Sequence, residues 1–258
     1  MKANDIKITP KWKESKDDIW NKSFMNLEDN HKSDKKSKHI KRFLLYVAAS
    51  VIVFINFSYI YRTSIYTPRG EQSTITLPDG SFAKLREESS LSYKPLWWIF
   101  NKTVSFSGEA FFYGKHAKGF KIESNLATTY VLGTSFNIID RENIFEIGCL
   151  EGKVKVKSEF QAKELTKGML TRIKDNKIVS KKNENTRTMA LWTKDILAFK
   201  NTPLREVIET ISRSYNIQIK PPNNINYYYT GQIQRMNNPQ DVLNIINKTF
   251  GIEMQIIE

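Results

Sequence analysis

One apolar run stands out in the pattern of hydrophobic and polar positions. Residues 43–61, FLLYVAASVIVFINFSYIY, form a run of nineteen residues without a charge. As an α-helix the run would be about 28 Å long, close to a hydrocarbon core of roughly 30 Å. We expect a transmembrane helix over 43–61, between a tail at 1–42 and a short linker at 62–69. A cleaved secretory signal is the alternative, but its apolar part would be shorter and nearer the N-terminus.

Basic residues flank the two ends of the apolar run unequally. Four lysines and Arg42 lie between positions 35 and 42, whereas only Arg62 and Arg69 follow the run closely. Cationic residues beside a membrane span are retained in the cytoplasm. The sequence therefore predicts a single-pass protein whose N-terminus is cytoplasmic and whose long C-terminal part lies outside.

The region 70–190 has a period typical of short β-strands. Segments of alternating apolar and polar residues recur about every ten positions, separated by turn residues. One such turn is Pro78-Asp79-Gly80, where proline presets φ, aspartate bonds its own backbone and glycine accepts a positive φ. We predict an all-β domain here, as a sandwich, barrel or roll.

The region 191–258 changes to a mixed pattern. Apolar residues at helical spacing begin at Leu204 and again after Asn238-Pro239, and short apolar runs flank both segments. Asn201 or Thr202 is expected to cap the first helix, with Pro203 in its first turn. The order predicts a small α+β domain, βαββαβ, with one sheet and two helices; its predicted strands are 196–199, 217–219, 228–233 and 252–257.

A short amphipathic helix is predicted in the tail. Ile19, Trp20, Phe24 and Leu27 share one face of this helix, and Asp17 is suited to cap its N-terminus. The tail has too few apolar residues to form a core of its own. The apolar face therefore predicts either a helix that folds onto a partner protein or a helix that lies on the membrane surface.

Charge and reactive residues exclude several functions. The formal net charge is +13, of which the tail carries +5 and the remainder +8, but the outer lysines are interspersed with acidic residues and form no nucleic-acid-binding stripe. Cys149 is the single cysteine, within an apolar stretch, so we expect it to be buried and inert. The three histidines, at 31, 39 and 116, have no metal-ligand spacing. We predict no metal, no cofactor and no enzymatic activity.

Five punctuated segments resemble the successive motifs of the FecR family. Taken singly, each has an ordinary cause in a turn or strand, but their order and spacing together resemble the family across roughly residues 70–258. FecR proteins are single-pass regulators of extracytoplasmic-function sigma factors. The five segments are Leu77 to Ser81 (LPDGS), Gly108 to Phe112 (GEAFF), Val131 to Ile138 (VLGTSFNI), Leu150 to Val154 (LEGKV) and Lys167-Gly168.

The resemblance implies an anti-sigma factor of the inner membrane with two periplasmic modules. The all-β module at 70–190 would be FecR-like, and the module at 191–258 is similar to the small STN signalling modules of secretins and TonB-dependent transporters. The implied partners are a sigma factor, bound in the cytoplasm through Ile19, Trp20, Phe24 and Leu27, and the signalling domain of a TonB-dependent outer-membrane transporter.

Two further readings stay open. Some FecR-like proteins cleave their own chain at a Gly-Thr bond that corresponds to Gly133-Thr134, although a glycine turn followed by a strand residue explains these two residues equally well. The alternative to a sigma regulator is an anchored envelope protein whose β domain binds a neighbouring protein or the cell wall. A membrane-tethered hydrolase is disfavoured because no paired catalytic groups occur.

Overall fold

The computed structural model divides the chain into two compact units, residues 1–57 and residues 58–258. We describe each unit by itself. The residues that the structure describes are 13–28, 34–114, 120–131, 133–141, 144–174, 177–182, 184–222 and 225–257.

The first unit is helical. Helix α1 spans Lys16–Glu28, and helix α2 spans Asp34–Ile60 and continues into the start of the second unit. Within α2, Lys38–Ile60 is long and apolar enough to cross a membrane, with a mean hydropathy of 2.1 over its most apolar window, and its side chains are almost all exposed. This segment contains nearly all of the run 43–61 and supports the predicted single-pass anchor.

Strand β5 (Thr103–Tyr113) organises the all-β domain that follows. Its first half pairs with β4 (Ser89–Tyr93) and β6 (Phe120–Glu123), and its second half pairs with β3 (Phe82–Leu85) and β8 (Ser135–Arg141). Only the pairing with β6 is parallel. The strand therefore belongs to two sheets, and the predicted all-β fold is confirmed as a sandwich-like arrangement around β5.

The remaining strands extend the two sheets outward. One sheet continues from β6 through β7 and β10 to β11, and the other continues from β8 through β9 and β12 to β13. Strands β1 and β2 pair with β4 and β3 respectively. The bounds are β1 Thr63–Thr67, β2 Ser73–Thr76, β7 Thr128–Val131, β9 Ile144–Glu151, β10 Lys153–Lys157, β11 Ala162–Thr166, β12 Leu170–Lys174 and β13 Lys177–Lys181.

One apolar core lies between the two sheets. Alternate residues of β5 point into it: Val104 and Phe106 from the first half, and Ala110 and Phe112 from the second half, are buried. Phe112 stacks on Phe136 of β8, with ring centroids 5.4 Å apart. The alternation of apolar and polar residues on which the prediction rested therefore places the apolar side chains of β5 in this core.

Four elements of the outer unit were missed by the sequence prediction. The predicted linker 62–69 contains β1, which forms five residue pairs with the missed, serine-rich strand β4. Strand β13 was missed because its side chains are at most half-buried. A 3₁₀ helix at Thr186–Lys194 joins the two modules, and it was missed because it is a short connector without the apolar period of a longer helix.

The C-terminal module has the predicted order βαββαβ. Its elements are β14 Ile196–Pro203, α3 Leu204–Tyr215, β15 Gln218–Lys220, β16 Tyr228–Gln234, α4 Pro239–Phe250 and β17 Gln255–Ile257. The single predicted sheet is wrong, because β14 pairs with β16 and β15 pairs with β17 in two separate two-stranded sheets. The helices and strands nevertheless bury one common core.

The predicted start of α4 is confirmed, whereas the predicted side-chain cap of α3 is wrong. The Asn238 side chain accepts a hydrogen bond from the Gln240 N–H, and Gly251 ends α4 with φ +62°. Helix α3 begins at Leu204 after Pro203, without a side-chain cap. Asn201 and Thr202 do not cap it, because both belong to β14, where Asn201 adopts φ +50° at an irregularity of the strand.

Gly108, at the point where β5 passes from one sheet to the other, should tolerate no side chain. It adopts φ +111°, and an added Cβ would lie 2.5 Å from the Ser89 Cα atom. We expect Gly108→Ala to lower the free energy of unfolding by about 3 kcal/mol, measured by urea denaturation. The control is Gly80→Ala, which has φ +80° but open space around the Cβ and should lose only about 1 kcal/mol. Equal losses would contradict the role of close packing at Gly108.

Candidate functional site

Helix α1 displays part of the predicted partner-binding face. Ile19 is 41 % exposed and Trp20 is 60 % exposed, so two of the largest apolar side chains of the helix face solvent. Large exposed apolar groups on a short helix are typical of a surface that folds onto a partner. The side chains of Phe24 and Leu27, the other two predicted anchors, lie outside the described residues, although the helix backbone includes both positions.

The N-terminus of α1 is capped by a different residue from the one predicted. Ser15 accepts a hydrogen bond from the Asp18 N–H at 3.1 Å, and its hydroxyl donates to the Asp18 carboxylate at 2.8 Å. The Ser15 hydroxyl therefore caps the helix by accepting from one of its terminal N–H groups. Asp17 lies in the first turn instead, where its charge is favourable at the positive end of the helix dipole.

A buried ion cluster joins the β domain to the C-terminal module. It consists of Arg86, Glu87, Glu109 and Arg235. The Arg86 guanidinium donates to Glu109 Oε2 at 2.9 Å and to Glu87 Oε2 at 3.0 Å, and Arg235 lies 3.8 Å from Glu87 Oε1. The Glu87 side chain is only 2 % exposed, so its charge depends on these two arginines.

Electrostatic balance within the ion cluster favours the charged forms. Burial penalises the guanidinium of Arg86, but the attraction of Glu109 and Glu87 outweighs this penalty and raises the pKa of Arg86. Nearby, burial lowers the pKa of Arg141, whose guanidinium donates to the backbone oxygens of Glu87 and Glu88. Arg86, Arg141 and Arg235 thus all contact Glu87.

Hydrogen bonds extend the ion cluster to the connecting 3₁₀ helix. The Asn137 amide donates to Glu109 Oε1 at 3.2 Å, and its oxygen accepts from the Trp192 indole N–H at 2.9 Å. Trp192 is 3 % exposed, and the cationic groups of Lys84 and Arg86 lie within 6 Å of its ring centre. Trp192 is therefore a buried contact between the connecting 3₁₀ helix and the β domain.

Arg235 makes the corresponding contacts from the C-terminal module. Its guanidinium donates to the backbone oxygens of Gly70 at 2.8 Å and Ser214 at 2.6 Å, and Gly70 N–H in turn donates to Arg213 O at 2.8 Å. One arginine thus connects strand β16, helix α3 and the start of the β domain. The two modules of the outer unit are held together by polar groups whose partners lie in both.

The Gly133-Thr134 bond lies in the turn before β8, where Gly133 is exposed and Thr134 is buried. Gly133 adopts φ +74°, and Gly152 approaches so closely that a Cβ there would lie 2.5 Å from the Gly133 carbonyl oxygen. Thr134 is 3 % exposed, and its hydroxyl has no hydrogen-bond partner among the described residues. A buried, unpaired hydroxyl next to the preceding carbonyl is the arrangement that an acyl shift would use.

Cys149 behaves as predicted. The side chain is fully buried in the core of the β domain, and burial raises the pKa of its thiol to about 11. At neutral pH the thiolate, which is the reactive form, is therefore almost absent. Across the residues that the structure describes, no group of three or more His, Cys, Asp or Glu side chains could hold a metal ion.

Comparison with known proteins identifies the family. Residues 63–155 match the FecR protein family, and residues 196–258 match its companion, FecR, C-terminal. Together these matches span more than half of the chain. The chain belongs to the FecR family.

Two crystal structures of a protein from Parabacteroides distasonis ATCC 8503, described as a candidate anti-sigma factor, have the same fold. One has a TM-score of 0.67 at 27 % identity and covers 75 % of this chain and 93 % of its own. The other has a TM-score of 0.69 at 27 % identity and covers 76 % and 95 % respectively. No curated relative matches the chain.

Sequence reasoning found the motifs but missed what their polar residues do. Glu109 belongs to the GEAFF segment and Asn137 to the VLGTSFNI segment, and in the structure Asn137 bonds to both Glu109 and Trp192. A signal existed in the strands themselves, because a glutamate and an asparagine occupy positions flanked by buried apolar residues. Arg235 and Trp192 offered no comparable signal, since their partners in the β domain lie more than fifty positions away.

The ion cluster should tolerate the loss of its central cation poorly. Arg86→Met would leave Glu87 and Glu109 buried with less compensating charge, so we expect the free energy of unfolding to fall by about 3–5 kcal/mol, measured by denaturant titration. The matched control is Lys153→Met, because the pair Lys153–Glu164 has a similar separation, 3.3 Å, but both side chains are more than half exposed. The control should change the unfolding free energy by less than about 1 kcal/mol. A loss below that value for Arg86→Met would contradict the assigned role.

Proposed function

We propose that this chain is a membrane-anchored anti-sigma factor that regulates an extracytoplasmic-function sigma factor. The observation that carries the proposal is the pair of FecR matches over the outer unit, joined with the fold shared with the candidate anti-sigma factor of P. distasonis. The apolar helix within α2 supplies the anchor. The tail lies in the cytoplasm and the outer unit in the periplasm, in accordance with the basic residues before the span.

The sigma factor binds helix α1. Ile19 and Trp20 provide exposed apolar surface, and the helical spacing of the sequence predicts that Phe24 and Leu27 share their face. Since the tail cannot form a core of its own, the helix gains apolar burial only from another surface. The competing surface is the membrane itself, which would bind the same face through lipid contacts.

The outer unit receives its signal from the signalling domain of a TonB-dependent transporter. Support comes from the C-terminal module, whose two sheets have only two strands each and therefore end in edge strands. An edge strand can accept a strand from a partner through backbone hydrogen bonds. The envelope-protein alternative predicts the same surface without a sigma factor.

The role is regulatory and requires no catalytic group acting on a substrate. A single membrane helix transmits a conformational change poorly, because it has no second helix against which to shift. Clustering of copies or cutting of the chain transmits a signal through one span more readily. The buried ion cluster is consistent with an outer unit that moves as one body.

Self-cleavage at Gly133-Thr134 is a second proposal, favoured by the unpaired hydroxyl of Thr134. The Oγ1 atom attacks the Gly133 carbonyl carbon, the C–N bond breaks, and the hydroxyl proton passes to the nitrogen of Thr134. Water then hydrolyses the resulting ester and leaves a carboxylate on Gly133 and a free amine on Thr134. The two fragments would stay together, because β5 pairs with β8 and β7 pairs with β10 across the break.

The sigma-factor proposal is tested on the α1 face. Trp20→Ala combined with Phe24→Ala removes two large apolar anchors, and we expect the sigma factor that co-purifies with the full chain to fall at least tenfold. Lys22→Ala, on a 75 % exposed side chain of the same helix, is the matched control and should retain it. A sigma factor retained undiminished by the double variant would refute the assigned face, and the absence of any sigma factor from the unaltered chain would favour the envelope protein.

The cleavage proposal is tested on denaturing gels. The unaltered chain should give two fragments divided at Gly133, and Thr134→Ala should give one intact band because it lacks the nucleophile. Thr134→Ser keeps a hydroxyl and should restore the fragments, which separates chemistry from misfolding. An intact band for the unaltered chain would show that the reaction does not occur.

A further inference from the structure

A six-residue turn between β4 and β5 exposes an unusual number of apolar side chains. We call residues 95–100, PLWWIF, the aromatic loop. Ile99 is 85 % exposed, Phe100 is 76 % exposed and Leu96 is 44 % exposed. Ile99 and Phe100 are the two most exposed large apolar side chains in the described part of the outer unit from residue 62 onward. Clusters of this kind mark contact surfaces, whereas single exposed apolar residues are ordinary.

The aromatic loop is firmly attached to the β domain. Trp98 is 3 % exposed and packs against Tyr93 and Phe120, with ring centroids 5.7 and 5.9 Å away. The N–H groups of Phe100 and Asn101 donate to the Trp97 carbonyl at 3.1 and 3.0 Å. The exposed side chains are therefore presented by a fixed turn, with Trp98 as its root in the core.

The aromatic loop contacts the end of the membrane helix. Tyr59 lies within the candidate span Lys38–Ile60 and belongs to the same compact unit as the β domain. The rings of Tyr59 and Trp97 meet edge to face with centroids 5.6 Å apart, and Trp97 lies 5.0 Å from Phe100. The position at which the chain leaves the membrane is thus adjacent to the exposed apolar residues.

The residues around this contact match the chemistry of a lipid headgroup region. Tryptophan and tyrosine favour the membrane–water interface, because an apolar ring and a polar group can each reach a suitable medium. The Lys94 ammonium lies 3.6 Å from the centre of the Tyr59 ring, and Arg62 and Lys102 lie nearby in sequence. Cationic side chains at this depth are attracted to anionic lipid phosphates.

We propose that the aromatic loop is a second membrane contact, which inserts Ile99 and Phe100 into the same bilayer leaflet that α2 leaves. The inference rests on the proposed membrane anchorage of α2 and adds a lipid-binding surface to the β domain. Lipid is the expected occupant because the aromatic loop contacts Tyr59 at the end of the span. A bilayer that surrounds Tyr59 also reaches the loop. The β domain then rests on the membrane at two points, at its N-terminal strand and at the aromatic loop.

The test uses the full chain in vesicles of phosphatidylcholine and phosphatidylglycerol at a low protein-to-lipid ratio. A Cys149→Ala background receives one new cysteine at a time, by Ile99→Cys, Phe160→Cys or Val53→Cys, and each carries the same fluorophore. Phe160 is a matched control, because it is an isolated apolar residue, 70 % exposed, outside the aromatic loop. Quenching by brominated lipid measures contact with the acyl chains, and quenching by iodide measures contact with water.

The label at position 99 should be quenched by brominated lipid at least threefold more strongly than the label at 160, and less by iodide. Phe100→Asp should reduce the lipid quenching at 99 to the level of the label at 160 and leave the label at 53 unchanged. Equal quenching at 99 and 160, with the label at 53 in lipid, would overturn the second contact while the anchor stands.

Two other outcomes would also overturn the proposal. A label at 53 quenched by iodide rather than lipid would refute the anchor itself and, with it, the docking of the loop. A label at 99 shielded from both quenchers would show that another protein chain, such as a second copy, covers the aromatic loop instead of lipid.

Discussion

The outer unit depends on the charge balance around Glu87. A carboxylate that is 2 % exposed requires cations, and these come from both modules: Arg86 from the β domain and Arg235 from the C-terminal module. Because Glu87 contacts one arginine from each module, separating the modules would expose its carboxylate or leave it buried with less compensating charge. Trp192 also contributes to this contact through its hydrogen bond to Asn137. The two modules are thus held as one body chiefly by polar groups, whereas each is internally built on its own apolar core.

Two modules held together in this way fit the proposed role in signal transmission. Under the proposed function, an outer unit held as one body would carry the effect of a partner bound at one module to the other, and the single membrane helix would pass on a change in position or clustering. The tail offers the opposite property, because α1 has exposed apolar side chains and no core of its own. Under the proposed function, binding energy at α1 therefore comes from a partner protein, and regulation of the sigma factor acts at this helix.

The strands and helices followed from the sequence where local chemistry dictates them. Asp79 accepts from the Ser81 N–H in the predicted turn, Asn238 caps α4, and the alternation in β5 fills the core. The elements that failed depend on distant partners. Strand β1 forms only because β4 lies beside it, α3 begins without a side-chain cap because Asn201 and Thr202 continue β14, and the ion cluster joins residues from positions 86 to 235. Side chains of the predicted sigma-binding face beyond Trp20 lie outside the described residues, and that face remains a prediction.

The short passage from α2 to β1 limits how far the outer unit can reach. Helix α2 ends at Ile60 and β1 begins at Thr63, so two residues separate them, which fully extended cover about 7 Å. The start of the β domain is consequently held close to the end of α2. Under the proposed function, a signalling segment from an outer-membrane transporter would therefore have to reach the β domain close to the end of α2.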